Sequence, residues 1–353
     1  MSAGAELLIV GFEGLELTAE ERRILRRLQP GGLILFQRNI ATAEQLHALV
    51  ADLRVLCTDA LLFVDSEGGR VDRLREVAGR APSGAALARS RPAAAERAGH
   101  WVGQALRHFS FDVDLAPVVD LDRGEKNNAL DGRYLGATPR AVAARAAAFL
   151  RGLHSADVAG CLKHFPGLGA ARMDTHLQGA PIELSTSELA RDLAPFAALC
   201  DQAQMVMASH ASYPALDPEG RPATLSRPIS TDLLRRRLGF RGVLVSDDLE
   251  MGALGVWGDL PRRTAAALAA GCDLLPVCRH LAACPEVAAA LGKPALRERR
   301  EEAASRLERF RRHRRALGKS HDPLRAPTLE EIRRRLAALT ARLGEPSVPR
   351  SAS

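Results

Sequence analysis

Eight short apolar runs recur along the first 280 residues, and a stretch with a helical pattern separates each from the next. The runs span residues 7–11, 32–36, 61–64, 113–119, 160–164, 205–209, 242–246 and 272–277. Strands that alternate with helices pair in parallel through right-handed crossovers. Eight such units in about 280 residues suit the size of a (β/α)8 barrel. We therefore predict a single (β/α)8 TIM-type barrel, and periodicity alone leaves an open doubly wound sheet as the alternative.

Polar side chains stand where several of these runs end. Barrel enzymes keep their catalytic residues at the carboxyl ends of the strands, which meet at one mouth. Five of the eight runs end in this way, which favours the barrel over the open sheet and predicts an active site at its mouth. The residues are Asp65, Asp120, Lys163, His164, His210, Asp247 and Asp248.

An acid and an imidazole follow the Pro/Gly turn after Lys163-His164, at Asp174 and His176. In an extended segment, residues two apart point to the same side, so a carboxylate can hold one ring nitrogen while the other faces a substrate. An oriented histidine carries protons near neutral pH. The glycine-rich approach to the pair predicts a flexible loop whose closure over a substrate gates turnover.

The net charge of +7 is unevenly distributed. Residues 287–353 hold 17 Lys/Arg against 8 Asp/Glu, or +9, which leaves 32 against 34, or −2, for the rest. We predict a catalytic barrel over 1–290, charged C-terminal helices over 291–343 packed on or beside it, and a flexible tail over 344–353. Only Phe310 interrupts the arginines of the first helix, so no nucleic-acid partner is expected, and contact with an anionic wall polymer is the alternative.

The cysteine pattern and the hydropathy exclude several classes. The six cysteines form no CxxC pair with a matching partner, so we expect neither a zinc site nor another metal or cofactor, and reduced thiols fit a cytoplasmic enzyme. No run of 18 uncharged apolar residues indicates a membrane span. Glu6 and Glu13 interrupt the N-terminal segment, which we interpret as a first strand and not as a signal peptide. We expect a monomer.

Taken together, six ordered motifs within residues 5–280 resemble the glycoside hydrolase family 3 β-N-acetylhexosaminidases. These are the NagZ-type enzymes, which trim peptidoglycan fragments during recycling. Several motifs at matching intervals are far more specific than any one of them. The motifs are 31–36 (GGLILF), 65–73 (DSEGGRVDR), 116–120 (APVVD), 163–167 (KHFPG), 174–176 (DTH) and 242–249 (GVLVSDDL).

The resemblance implies a role for each matching residue. Asp247 matches the nucleophile, His176 the acid/base and Asp174 the group that orients it. The implied activity is that of a retaining exo-β-N-acetylglucosaminidase that releases GlcNAc from 1,6-anhydro-N-acetylmuramic acid, with or without peptide, through a covalent glycosyl-enzyme. The substrate-binding matches are Asp65, Arg73, Arg133, Lys163 and His164.

Two segments depart from the family pattern. The family usually has a histidine where Leu168 stands, and the loss of a polar group is expected to alter how this loop is anchored or moves. The stretch 131–136 (DGRYLG) also differs from the usual Arg-Ser-Phe-Gly, which affects the assignment of Arg133.

Four alternatives stay open. One is a β-glycosidase of other specificity, such as a β-glucosidase or xylosidase, although those relatives usually need a second α/β domain. Another is a phosphorylase of the same family, because a neutral histidine would not repel a phosphate dianion. The third is a sugar-binding relative without activity, which Leu168 and the basic tail motivate. The last is an aldolase with Lys163 as Schiff-base nucleophile, which the adjacent His164 disfavours.

Overall fold

The computed structural model describes residues 3–125, 129–171, 181–317 and 326–344 of the chain. Its ten strands are β1 Leu8–Val10, β2 Gly32–Leu35, β3 Leu61–Val64, β4 Ser66–Gly68, β5 Val71–Asp72, β6 Val113–Asp114, β7 Ala159–Phe165, β8 Met205–Ala208, β9 Val243–Ser246 and β10 Leu275–Val277. Eight of them form one parallel sheet in the order β10-β1-β2-β3-β6-β7-β8-β9. A parallel bridge between Val245 and Leu274 joins its two ends. The predicted (β/α)8 barrel is therefore confirmed, and the open sheet is excluded.

Helices surround this barrel, and local sequence fixes where they begin. They are α1 Ala19–Leu28, α2 Ala43–Leu56, α3 Arg75–Ala78, α4 Gly84–Ala88, α5 Pro92–His108, α6 Pro139–His154, α7 Thr186–Leu199, α8 Leu260–Ala270, α9 Cys284–Leu291, α10 Arg297–Leu317 and α11 Leu329–Leu343, with a π-helix at Pro228–Arg237. Before α1, the Thr18 hydroxyl accepts from the Glu21 amide while the Glu21 carboxylate accepts from the Thr18 amide, a capping box that satisfies both donors. Among the described residues, no helix has both the length and the apolar composition needed to cross a bilayer.

Two features of the strands differ from the sequence pattern. The run 113–119 forms a strand only at Val113–Asp114, because Pro117 has no N–H to donate to a ladder, and Val118 then makes an isolated bridge to Lys163. After β3 the chain makes the small antiparallel hairpin β4–β5, which the apolar pattern did not predict. Gly68 and Gly69 turn this hairpin at φ +91° and +61°, which glycine adopts most readily.

The barrel interior is packed with apolar side chains, so it is a core and not a channel. Two side chains of α10, Leu307 and Phe310, belong to this interior cluster. Strand residues that fill it include Ile9, Ile34, Phe63, Val113, Leu115, Cys161, Met205, Met207, Val243, Val245 and Leu274.

Helix α10 lies across the N-terminal end of the barrel. Its Arg299 and Arg306 bind the carboxylate of Asp273, which precedes β10, and its Arg311 donates to the carbonyl of Gly31, which precedes β2. Helix α11 packs on α5 and buries its own apolar stripe. The division of the chain at residue 290 stays a prediction, and residues 345–353 of the predicted flexible tail lie outside the described residues.

Candidate active site

The carboxyl ends of the barrel strands surround a cavity of about 610 Å³. The structure brings together there six of the eight residues that the sequence predicted for the site. The other two, Asp174 and His176, lie outside the described residues. The six lining residues are Asp65, Arg73, Arg133, Lys163, His164 and Asp247.

Four charged side chains form one buried network at the side of this cavity. The Lys163 ammonium lies 2.7 Å from Asp65 Oδ1 and 2.6 Å from Glu67 Oε1. Arg133 donates two parallel hydrogen bonds to Glu67, from Nε and Nη2, each at 2.7 Å. The Lys163, Glu67 and Arg133 side chains are 3%, 5% and 9% exposed, while Asp65 is more open at 15%. The network therefore fixes Asp65 and Lys163 where a bound molecule can reach them.

The network also fixes the charge state of its members. Burial alone would lower the pKa of Lys163, but the charges of Asp65 and Glu67 outweigh it and raise that pKa. Burial would raise the pKa of Glu67, but Arg133 and Lys163 together lower it. Lys163 is thus held as an ammonium ion. A Schiff-base nucleophile needs a neutral amine, so this environment disfavours the aldolase alternative.

His164 is held by the carboxylate of Asp120. Its Nδ1 lies 2.7 Å from Asp120 Oδ2, and its backbone amide donates to the same carboxylate. This contact leaves Nε2 as the ring nitrogen that can reach a molecule in the cavity. Asp120 therefore positions the imidazole from behind.

Leu168, where the family usually has histidine, is anchored through its backbone. Its amide donates to Asp120 Oδ1 at 2.7 Å, and the residue is buried beside the cavity. The start of the loop is therefore tied to the same carboxylate that holds His164, and this contact does not depend on the side chain at 168.

Arg73 brings an unsatisfied donor to the site. Its backbone amide donates to the Asp65 carbonyl at 3.0 Å, which closes the β4–β5 hairpin, and its guanidinium carbon lies 6.0 Å from the centre of the Phe36 ring. The Nε atom is buried, and no hydrogen-bond partner for it exists among the described residues. A buried unpaired donor is costly, so a ligand oxygen that accepted from it would be favoured.

Asp247 directly follows β9 at the cavity mouth. Its amide donates to the Ala208 carbonyl at 3.1 Å, which extends the barrel ladder by one residue. Its Oδ1 accepts from the Asp248 amide at 2.8 Å. The strand end and the turn therefore hold this carboxylate in a defined direction while it lines the cavity.

The turn that carries Asp247 is supported by His210. The two ring nitrogens of this buried histidine contact the Thr224 hydroxyl at 2.9 Å and the Asp248 carbonyl at 2.8 Å. Burial, followed by the charges of Glu250 and Asp247, raises the pKa of Asp248 to about 6. His210 thus positions the turn, and Asp248 is a second carboxyl group that titrates beside Asp247.

Sequence reasoning missed two important residues of the site. Glu67 was not selected, although it lies two residues after Asp65, and residues two apart in an extended chain point to the same side. Asp120 was noted only as a polar residue at a strand end, and its contact with His164 joins residues 44 apart in the sequence. No local pattern specifies such a pairing.

Comparison with known proteins identifies the family of the chain. Residues 2–309 match the family described as "Glycosyl hydrolase family 3 N terminal domain". The chain belongs to this family. A β-hexosaminidase of Pseudomonas aeruginosa is 41% identical over 308 residues, 86% of this chain and 90% of the relative. A β-hexosaminidase of Stenotrophomonas maltophilia is 42% identical over 282 residues, 77% and 83% of the two chains.

Solved structures of the family are also similar. NagZ from Neisseria gonorrhoeae in complex with N-trifluoroacetyl-D-glucosamine superposes with a TM-score of 0.79 at 30% identity, covering 97% of this chain and 98% of that one. A family 3 β-N-acetylglucosaminidase from Paenibacillus gives 0.85 at 30% identity over 95% of this chain and 67% of that one. The protein is therefore a glycoside hydrolase of the NagZ-like β-hexosaminidase type.

Proposed function

We propose that the protein is a retaining exo-β-N-acetylglucosaminidase that acts on peptidoglycan fragments. The observation that carries this proposal is that Asp247 lines the same cavity as the buried network of Lys163, Asp65, Glu67 and Arg133, called here the Lys163 network. A fixed carboxylate beside fixed donors and acceptors is what a covalent attack on a bound sugar requires.

The charged network supplies complementary contacts for sugar hydroxyl groups. Asp65 Oδ1 is engaged by Lys163, and the described residues give Oδ2 no hydrogen bond, so Oδ2 can accept from a hydroxyl. Arg73 and the His164 ring can serve as donors, as can the Lys163 ammonium. Polar groups that are already held in place lose little freedom when the sugar binds.

In the proposed first step, an oxygen of Asp247 attacks the anomeric carbon. The new bond forms as the bond from C1 to the leaving oxygen breaks, and that oxygen receives a proton from His176. In the second step, His176 takes a proton from water, the water oxygen bonds to C1, and the Asp247 carboxylate departs. Two inversions leave the product with the configuration of the substrate.

Asp174 and His176 remain proposals from the sequence, because both lie outside the described residues. The anchored start of their loop at Leu168 supports a catalytic segment that begins at a fixed point beside the cavity. A histidine in this role is neutral when it activates the acceptor, so phosphate could replace water, and hydrolysis must be compared with phosphorolysis.

Positive charge at the cavity edge supports an acidic fragment as substrate. Arg70 and Arg279 line the cavity and are exposed, and neither belongs to the Lys163 network. N-acetylmuramic acid carries a carboxylate on its lactyl group, and a peptide on that group adds further carboxylates. Guanidinium groups at the edge can pair with them. All six cysteines are buried and free, which supports our proposal of a cytoplasmic location.

The test is the hydrolysis of a chromogenic β-GlcNAc substrate by wild type, Asp247→Ala and Asp247→Gly. We expect kcat to fall by at least about 10³-fold in both variants. Azide should restore turnover in Asp247→Gly and yield the α-glycosyl azide, because the small anion attacks from the side that the carboxylate occupied. Equal rates in wild type and Asp247→Ala would refute the assignment.

Two further assays separate the finer claims. Product formation with and without phosphate distinguishes a hydrolase from a phosphorylase. A comparison of N-acetylglucosaminyl-anhydromuramyl peptide with chitobiose tests the substrate: kcat/KM should favour the muramyl substrate, and a preference for chitobiose would contradict the peptidoglycan assignment while leaving the mechanism intact.

A further inference from the structure

A second cavity, of about 570 Å³, lies near the N-terminal end of the barrel, opposite the candidate active site. It lies between the last turn of the π-helix, the loop before β9, and α10. Five of its seven lining residues are arginines, and no carboxylate of the described residues lines it. The lining residues are Arg235, Arg236, Gly239, Phe240, Arg241, Arg306 and Arg309.

The buried wall of this cavity carries more positive than negative charge. Asp273 is fully buried and accepts from Arg235 at 2.5 Å, from Arg299 at 2.5 Å and from Arg306 at 3.1 Å. A second carboxylate beside this cluster, that of Glu302, is half-exposed and lies 3.5 Å from Arg306. Guanidinium groups do not lose their charge in proteins, so three cations face one buried anion.

Arg235 shows the consequence of this imbalance. Its Nε atom is buried, and the described part of the chain provides no hydrogen-bond partner for it. Burial, with repulsion from Arg306 and Arg299, lowers the pKa of Arg235 despite the contact with Asp273. An anion in the cavity would relieve this repulsion.

Three further arginines at the cavity edge are exposed and can turn toward a ligand. Arg236 pairs with Asp232 on its own helix, and Arg309 donates to the Ser305 hydroxyl at a long 3.4 Å. Arg241 lies on the loop before β9 and is also exposed. Contacts of this kind between exposed groups are weak and exchange easily.

We propose that this cavity binds a small anion that bears two or more phosphate groups. Guanidinium forks match phosphate oxygens in shape and charge, and the arginines reach the cavity from three separate segments. One phosphate group cannot contact all of them, whereas a chain of phosphates can. The volume of the cavity lies in the range of ordinary small-molecule sites.

The site is separate from the candidate active site. Arg241 precedes β9 and Asp247 follows it, so the two residues lie six positions apart at opposite ends of the strand, roughly 20 Å at 3.3 Å per residue. The inference therefore does not rest on the proposed glycosidase mechanism. Because the ligand would join α10 to the segments before β9, binding should also raise the unfolding temperature.

The test is calorimetric titration of the full chain with inorganic tripolyphosphate, with orthophosphate as the comparison. The cavity variant is Arg241→Gln/Arg309→Gln, which leaves the Asp273 cluster intact. The matched control is Arg297→Gln/Arg334→Gln, two surface arginines that are 74% and 73% exposed and give the same change in net charge. A far-ultraviolet circular dichroism spectrum and a cooperative thermal transition that match those of the wild type confirm that each variant is folded.

We expect tripolyphosphate to bind wild type. Its Kd should be at least about tenfold higher for the cavity variant and should change by less than about twofold for the control variant. Orthophosphate should bind at least about tenfold more weakly than tripolyphosphate. Equal losses in both variants, no binding up to about 10 mM, or equal affinity for the two anions would overturn the proposal.

Discussion

Replacement of Glu67 by glutamine should destabilise the protein far more than a single conservative change usually does. Three charged contacts converge on this carboxylate: two hydrogen bonds from Arg133 at 2.7 Å and an ion pair with Lys163 at 2.6 Å. Because all three side chains are at most 9% exposed, water cannot replace the lost contacts. Glutamine has the same shape, so the substitution tests the charge and the acceptor oxygen and creates no cavity.

The magnitude follows from these contacts. Each hydrogen bond to a charged group contributes about 1.5–3 kcal/mol, and glutamine keeps one acceptor oxygen while its amide group faces other donors. The loss of about two such contacts gives roughly 3–6 kcal/mol, and the usual cost of removing one partner from a buried ion pair, about 3–5 kcal/mol, lies within this range. The remaining cations then repel each other without a carboxylate between them.

The assay is urea unfolding at neutral pH, followed by far-ultraviolet circular dichroism, for Glu67→Gln and a surface control. The control is Glu96→Gln, whose carboxylate pairs with Arg151 at 2.8 Å while the two side chains are 48% and 56% exposed. An exposed pair contributes about 1 kcal/mol or less, so the control should unfold almost as wild type does. A loss below about 1 kcal/mol for Glu67→Gln, or equal losses in the two variants, would refute the reasoning.

Three other predictions concern pH, histidine position and substrate charge. Burial raises the pKa of Asp72 to about 6, so the folded protein holds this proton more tightly than the unfolded chain does. The unfolding free energy of wild type relative to Asp72→Asn should therefore fall by roughly 3 kcal/mol as the pH rises from about 4 to above 6. A difference in unfolding free energy that stays constant with pH would contradict this. Asp120→Asn removes the charge that holds His164, so kcat/KM should fall about 10- to 100-fold in steady-state assays while the fold is retained. An unchanged kcat/KM would exclude a positioning role for Asp120. The double variant Arg70→Gln/Arg279→Gln should have a KM about tenfold higher for a muramyl peptide and an unchanged KM for a chromogenic β-GlcNAc substrate. Equal changes in the two KM values would contradict recognition of an acidic fragment.

Periodicity predicted the eight strand–helix units, because each strand is a compact apolar run. The polar residues at the ends of five runs then favoured the barrel over an open sheet, because the carboxyl ends of its parallel strands meet at one mouth. Lys163, His164 and Asp247 could be assigned to that edge for the same reason, and all three line the cavity. Strand β6 was predicted too long, because the apolar run continues through Pro117, which has no backbone N–H to donate to a neighbouring strand.

Contacts between distant segments could not be predicted in this way. Apolar pattern carries no information on which carboxylate will face Lys163, and Glu67 was therefore missed although it lies 2.6 Å from the ammonium. The charge count placed the positive excess in the C-terminal helices, but not the convergence of Arg299 and Arg306 on Asp273. Pairing of this kind is set by the tertiary fold and not by the spacing of residues.

The central claim is that Asp247 bonds to the anomeric carbon of the sugar. The direct measurement is mass spectrometry of the protein after reaction with a 5-fluoro-β-N-acetylglucosaminyl fluoride, which forms the glycosyl-enzyme quickly and releases it slowly. We predict an added mass of one fluorosugar, located after digestion on the peptide that contains Asp247. Full turnover without an adduct, or an adduct located on another residue, would contradict the assignment.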